Sequence, residues 1–140
     1  MTTVFRLVGS IVAGMLVAFI LAIVVELFSS VVHPVPLDFG GTTEEMCLHV
    51  ERYPQWVLAV VVPLWAATEF TSTWITGKLG NRGGALCVGL LLFAGLGFNL
   101  AMLPYPIWFK IACLIAIPAA IVAALYLSPR RPAAPATVPA

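Results

Sequence analysis

Glu69 is the most expensive residue in this chain to place. It is the only charged residue in the apolar run 56–75. Counting 1.5 Å per residue from Lys78 puts it roughly 13 Å inside a hydrocarbon layer. An ionised carboxylate at such depth costs on the order of 3 kcal/mol or more, so the group is expected to be neutral, hydrogen-bonded within the protein, or touching water. Thr68, Thr71, Ser72, Thr73 and Thr76 make this half of the run unusually polar. Glu69 with Thr68, Ser72 and Thr76 is therefore a candidate intramembrane site for a proton or a cation. The plainer alternative is a neutral acid bonded to a neighbouring helix.

A second polar group is expected at another depth. Glu26 falls roughly 30 Å along its helix from Arg6, and Asn99 roughly 25 Å from Arg82. Lys110 starts the last run at that same level. A Glu26–Lys110 ion pair closed by Asn99 would satisfy all three groups, with His33 under the adjoining loop. These four residues form a candidate outer-layer network, which could equally be packing that sets helix register. A zinc or copper site from His33, His49, Cys47 and Glu44 or Glu26 is chemically conceivable. The spacing matches no ligand motif, and Cys47 and His49 would project about 200° apart on a helix. No metal site is expected. The three cysteines contain no CxxC pair, and their different depths argue against a disulfide. Nucleophile motifs, glycine-rich phosphate loops and paired catalytic carboxylates are missing, so no catalytic residue or cofactor is assigned.

The elements that must position these groups are four apolar stretches. Runs 7–25, 83–103 and 111–127 carry no charge, and 56–75 carries only Glu69. Each approaches the roughly 20 residues that cross a ~30 Å hydrocarbon layer. Mean hydropathy is +1.06 with 9% charged residues, far from the roughly 25% of soluble domains. The expected fold is all-α, a four-helix transmembrane bundle with spans at about 4–32, 55–77, 83–103 and 106–128. The first run is longer than the roughly 7–15 residues of a signal-peptide core, so it is expected to be a retained span. Residues 129–140, rich in Pro and Ala, are expected to be a disordered cytoplasmic tail. Arg6, Lys78, Arg82, Arg130 and Arg131 flank the two termini and the second turn, whereas Asp38, Glu44, Glu45 and Glu51 lie in the first connection beside Arg52 alone. By the positive-inside rule both termini are expected in the cytoplasm. Lys110 is the exception and is expected to snorkel to the interface.

Small residues recur every four positions at Ser10, Gly14, Ala18 and Ala22, and again at Ala112, Ala116, Ala120 and Ala124. Such stripes let helix backbones approach in lipid, so both series are expected to pack against neighbours. In the first connection Pro34 and Pro36 stop the helix, and Asp38-Phe39-Gly40-Gly41 is turn chemistry. Thr42-x-x-Glu45 fits a capping box. It opens a short interfacial helix with Met46, Val50 and Tyr53 on its apolar face and Glu45, His49 and Arg52 elsewhere. Pro63 and Pro118 release the carbonyls of Ala59 and Leu114 and are expected to bend their spans. Trp56, Tyr105 and Trp108 are expected in one interfacial aromatic belt, Trp74 and Tyr126 in the other.

The run Met102-Leu103-Pro104-Tyr105-Pro106-Ile107-Trp108-Phe109, together with Glu26, His33-Pro34-Val35-Pro36, Pro54, Trp65 and Asn99, resembles a group of small, uncharacterised bacterial four-span membrane proteins. That group often has Pro-His-Pro where this chain has Tyr105, and seldom an acid matching Glu69. The resemblance implies a bacterial inner-membrane protein and marks the outer layer, but implies no reaction. The expected role is structural, or that of an accessory subunit in a membrane assembly. The expected partners are the lipid bilayer and a second copy or another membrane subunit, with no nucleic acid. One alternative is a small proton- or cation-coupled transporter or channel oligomer using Glu69 or Glu26. It resembles small multidrug exporters in size and span count, without their other motifs. A further alternative is an enzyme acting on lipid or quinone at the outer layer.

Overall fold

In the computed structural model the chain is all-helical: α1 (Thr2–Val32), α2 (Thr43–Glu51), α3 (Gln55–Leu79), α4 (Arg82–Met102) and α5 (Ile107–Leu127). Residues 2–128 are described, so the expected tail at 129–140 lies outside them. The helices α1, α3, α4 and α5 are long and apolar enough to cross a membrane, as expected from the four runs.

Their arrangement follows from polarity. α3 is the least apolar of the four, and it buries Thr68, Glu69, Ser72, Thr73 and Thr76. It stands at the hub, packed against α1, α4 and α5, while α4 also meets α1 and α5. A central place keeps the polar face of α3 out of lipid, where unsatisfied groups are costly. α1 is the most apolar and the least buried, and it does not reach α5.

Two ends of the bundle can be distinguished. At the basic end Arg6 Nε donates to Leu79 O (2.9 Å), and Arg82 donates to Tyr126 O (3.5 Å) and Ser128 O (3.4 Å). Both cations thus sit on the carbonyl ends of helices, where the helix dipole favours positive charge. Lys78 lies 4.6 Å over the Trp74 ring. Asn81, whose role the sequence reading missed, caps α4 by accepting from Gly84 N (2.8 Å). The opposite end carries α2. The expected capping box is present: Thr42 Oγ1 accepts from Glu45 N (3.2 Å), and Glu45 Oε2 accepts from Thr42 N (3.1 Å). Those bonds hold the half-buried Glu45 carboxyl below its ordinary value.

Glycine and small side chains decide where the helices touch. A Cβ on Gly14 of α1 would collide with the Thr76 hydroxyl and the Ser72 carbonyl. Gly80 is similarly closed by Ser10, Gly77 by Ser128, and Gly89 is pinched between Ile121 and Thr73. Of the first small-residue series, Ser10, Gly14 and Ala18 are buried and Ala22 is half-buried. Of the second series, only Ala124 is buried. The packed stripe of α5 is Phe109, Cys113, Ile117, Ile121 and Ala124. Ala112, Ala116 and Ala120 are only half-buried beside it. A one-residue offset rotates a helix face by about 100°, so from Phe109 to Ile121 the buried positions fall beside the alanines rather than on them. In the half nearer α2, the core consists of Val25, Val57, Leu58, Val61, Leu100, Phe109 and Cys113.

Candidate functional site

The Ser/Thr-rich face around Glu69 splits into two. Thr68, Ser72 and Thr76 return their hydroxyls to the carbonyls four residues earlier, Leu64 (2.9 Å), Thr68 (2.8 Å) and Ser72 (2.9 Å). None of the three bonds Glu69. In a bilayer this is how a hydroxyl is satisfied without a partner helix. Thr73 is the residue that reaches the acid, its Oγ1 donating to Glu69 Oε1 at 3.4 Å. Thr73 sits one helical turn beyond Glu69, and that i+4 spacing is the signal that could have singled it out. Glu69 is buried, 4% exposed.

Above Glu69 the bundle is not filled. A cavity of about 930 Å³ extends from Glu69 and Thr68 to α2. Its floor is α3, through Leu58, Val61 and Trp65. One flank is α1, through Met15, Phe19 and Glu26, and the other is α4, through Leu92, Gly95 and Asn99. α1 and α4 are close at Gly84, where an added Cβ would meet Leu7 and approach Ile11. Further along, Phe19 on α1 and Leu91 on α4 are both exposed, and nothing lies within 4 Å of a Cβ built on Gly95. The cavity is the space left where these two helices part.

At the α2 end the walls become aromatic. His33 stacks on His49 with ring centroids 4.4 Å apart, and Tyr53 lies 4.5 Å from His33 and 5.4 Å from His49. The His33 Nε2 is 3.3 Å from His49 O. His49, Val50 and Tyr53 all line the cavity, so His49 turns inward, a correction to its expected place off the apolar face of α2. Burial, followed by the neighbouring His33, holds the His49 imidazole below its ordinary value. Tyr105 faces inward as well. It packs 4.9 Å from Phe109 and is half-buried rather than sitting in an outward belt. Burial pushes its phenol up to about 12, with Tyr53 and Glu26 adding to the shift. Tyr53 is raised by burial and then by Glu26, with a Ser29 hydrogen bond opposing. Both phenols line the same cavity as Glu26.

The expected outer-layer network is only partly assembled. Glu26 and Asn99 line the one cavity, and His33 borders it through His49. Lys110 is not on its wall, and the expected Glu26–Lys110 ion pair is replaced by a cavity wall without a cation. The start of α5 is instead tied to α3 by Trp108 Nε1, which donates to Gln55 Oε1 at 2.6 Å. The two acids expected to belong to separate sites share a single space. No family of known proteins, no curated protein and no solved structure matches this chain. Among the described residues no three His, Cys, Asp or Glu side chains come close enough to hold a metal ion.

Proposed function

We propose that this chain is a small accessory or carrier subunit of a membrane assembly that binds an apolar molecule dissolved in the bilayer. The observation that carries the reading is the cavity of about 930 Å³ between α1 and α4, which contains both intramembrane acids. Its size falls at the upper end of the roughly 300–1,000 Å³ typical of small-molecule sites. A mostly apolar wall with a few convergent polar groups is how such sites combine affinity with orientation.

The reading is tested by filling the space. Gly95 has room for a large side chain, so Gly95→Trp is expected to abolish saturable binding of an apolar, environment-sensitive dye to the protein in nanodiscs. Its melting temperature should stay near that of the wild type. Dye uptake by the wild-type protein no greater than by empty nanodiscs would defeat the reading.

Glu69 supports a second reading, proton- or cation-coupled transport. It closes the deep end of the cavity with one weak bond from Thr73, so a proton there could be exchanged for a ligand cation. Under that reading Glu69→Gln removes pH-dependent flux in proteoliposomes while the fold survives, and unchanged flux would eliminate it. We also assign both termini to the cytoplasmic face of a bacterial inner membrane. The joint position of Arg6, Lys78 and Arg82 at one end of the bundle supports this, and a C-terminal reporter reading periplasmic would reverse it.

A further inference from the structure

We infer that the α2 end of the cavity is a subsite for an alkylammonium group, held by the Glu26 carboxylate among the rings of Tyr53, Tyr105 and His49, with the attached hydrocarbon tail lying along α3. The inference rests on the reading of the cavity as a ligand site and names the class of ligand.

Charge is the first argument. Glu26 and Glu69 are on the wall, and no Lys or Arg is. A cation entering from the membrane meets no like-charged Lys or Arg on the wall, whereas a free anion without a cation of its own meets nothing that neutralises it. Glu26 lacks the ion pair with Lys110 that would otherwise have used its charge, and it is exposed and lines the cavity.

Ring geometry is the second. Tyr53 and His49 stand edge to face at 5.4 Å and an interplanar angle of 75°, with His33 stacked on His49 at 4.4 Å, so the three rings form one aromatic cluster at this end of the cavity. Tyr105, packed on Phe109, also lines the cavity. The electron-rich faces of such rings attract ammonium groups within about 6 Å, and alkyl substituents on nitrogen are tolerated because the contact is not a directed hydrogen bond. Glu26, His49, Tyr53 and Tyr105 line the same cavity, so rings and carboxyl face one space.

The apolar stretch is the third. Between this end and Glu69 the floor is Leu58, Val61 and Trp65, faced by Leu92 and Leu96. Glu69 lies roughly 20 Å along α3 from its first residue, a length that accommodates an alkyl chain of about a dozen carbons. An ammonium without a tail would leave that surface uncovered.

Two sources supply this chemistry, a choline-type lipid head and a free lipophilic amine. The test uses the full chain in nanodiscs of an uncharged glycolipid, with uptake by empty nanodiscs subtracted. The probes are dodecyltrimethylammonium and its neutral isostere, in which carbon replaces the quaternary nitrogen. The cation is expected to bind about tenfold more tightly than the isostere, and Glu26→Gln and Tyr53→Leu should each erase the difference while leaving the isostere's affinity alone. Dodecylphosphocholine competing at similar concentration would identify the lipid head as the source, and failure to compete would identify the free amine; either supports the subsite. Equal affinity of the cation and the isostere for the wild-type protein overturns the subsite and leaves the cavity reading standing. Saturable binding of neither probe overturns both. Because the decisive comparison uses the wild-type chain, it survives even if one of the variants does not fold.

Discussion

The two halves of the bundle are built from the same kinds of helix and differ in how closely those helices come together. Toward the basic end, Ser10 and Gly14 of α1 press against Gly80, Thr76 and the Ser72 carbonyl, and Gly89 of α4 fits between Thr73 and Ile121. Toward the α2 end, the facing positions on α1 and α4 are Phe19, Glu26, Leu91 and Gly95, and the helices stand apart around the cavity. Without a hydrophobic drive in lipid, association depends on close van der Waals approach. Small residues on both partners close one half, and bulky ones leave the other open. The lesson is that a glycine matters by its neighbour, not by its presence, since Gly14 is pressed and Gly95 is free.

The largest effect that would break this contrast comes from enlarging a residue in the closed half. Gly14→Leu is expected to lower stability by about 1–3 kcal/mol through overpacking, read as a fall in melting temperature in detergent. Gly95→Leu should change it by less than about 0.5 kcal/mol. Equal melting of the two variants would mean that the halves do not differ. Next, Thr42→Ala removes the Thr42 Oγ1 that accepts from Glu45 N, one of the two capping-box bonds of α2, and should cost about 1 kcal/mol locally, seen as faster hydrogen exchange confined to residues 43–51. An unaltered exchange rate there would show that α2 is held by its docking and not by its cap.

Smaller effects sharpen the account of the polar groups. Thr73→Val removes the bond to Glu69 and should cost about 0.6 kcal/mol, the usual size for such bonds inside membrane proteins. Thr68→Val should leave Glu69 unaffected, since the Thr68 hydroxyl is bonded to Leu64. Lys110→Met is expected to change stability by less than about 0.5 kcal/mol and to add strictly with Glu26→Gln; a coupling between the two would restore the ion pair that the structure lacks. The mildest effect concerns pH. His49 is held below the ordinary imidazole value of about 6.5, so the folded protein prefers it neutral. Docking of α2 should therefore be complete above about pH 6.5 and weaken as pH falls, because the undocked chain takes up the proton first. The facing groups are His33, Tyr53 and Phe39. Greater protection of α2 amides at pH 5.5 than at pH 7.5 would contradict this.

What could be read from residues alone was local or axial. Apolar length defined the four spans, Thr42 and Glu45 defined the start of α2, and Pro34 and Pro36 marked where α1 ends, because each depends on neighbours within a turn or two of chain. The depth of Glu69 in its run was likewise a matter of counting. The angular coordinate was not legible. Counting residues says how far along a helix a side chain lies, but its direction depends on which faces the other helices cover. That is why α5 packs through Cys113 and Ile117 rather than Ala112 and Ala116, why Lys110 misses the wall that Glu26 and Asn99 share, and why His49 and Tyr105 turn inward. Sequence by itself determined that the chain is four apolar helices with a capped surface helix. Only the tertiary structure decided that two acids at different depths open into one cavity, because a gap between helices arises from how whole faces pack and has no counterpart in any single segment.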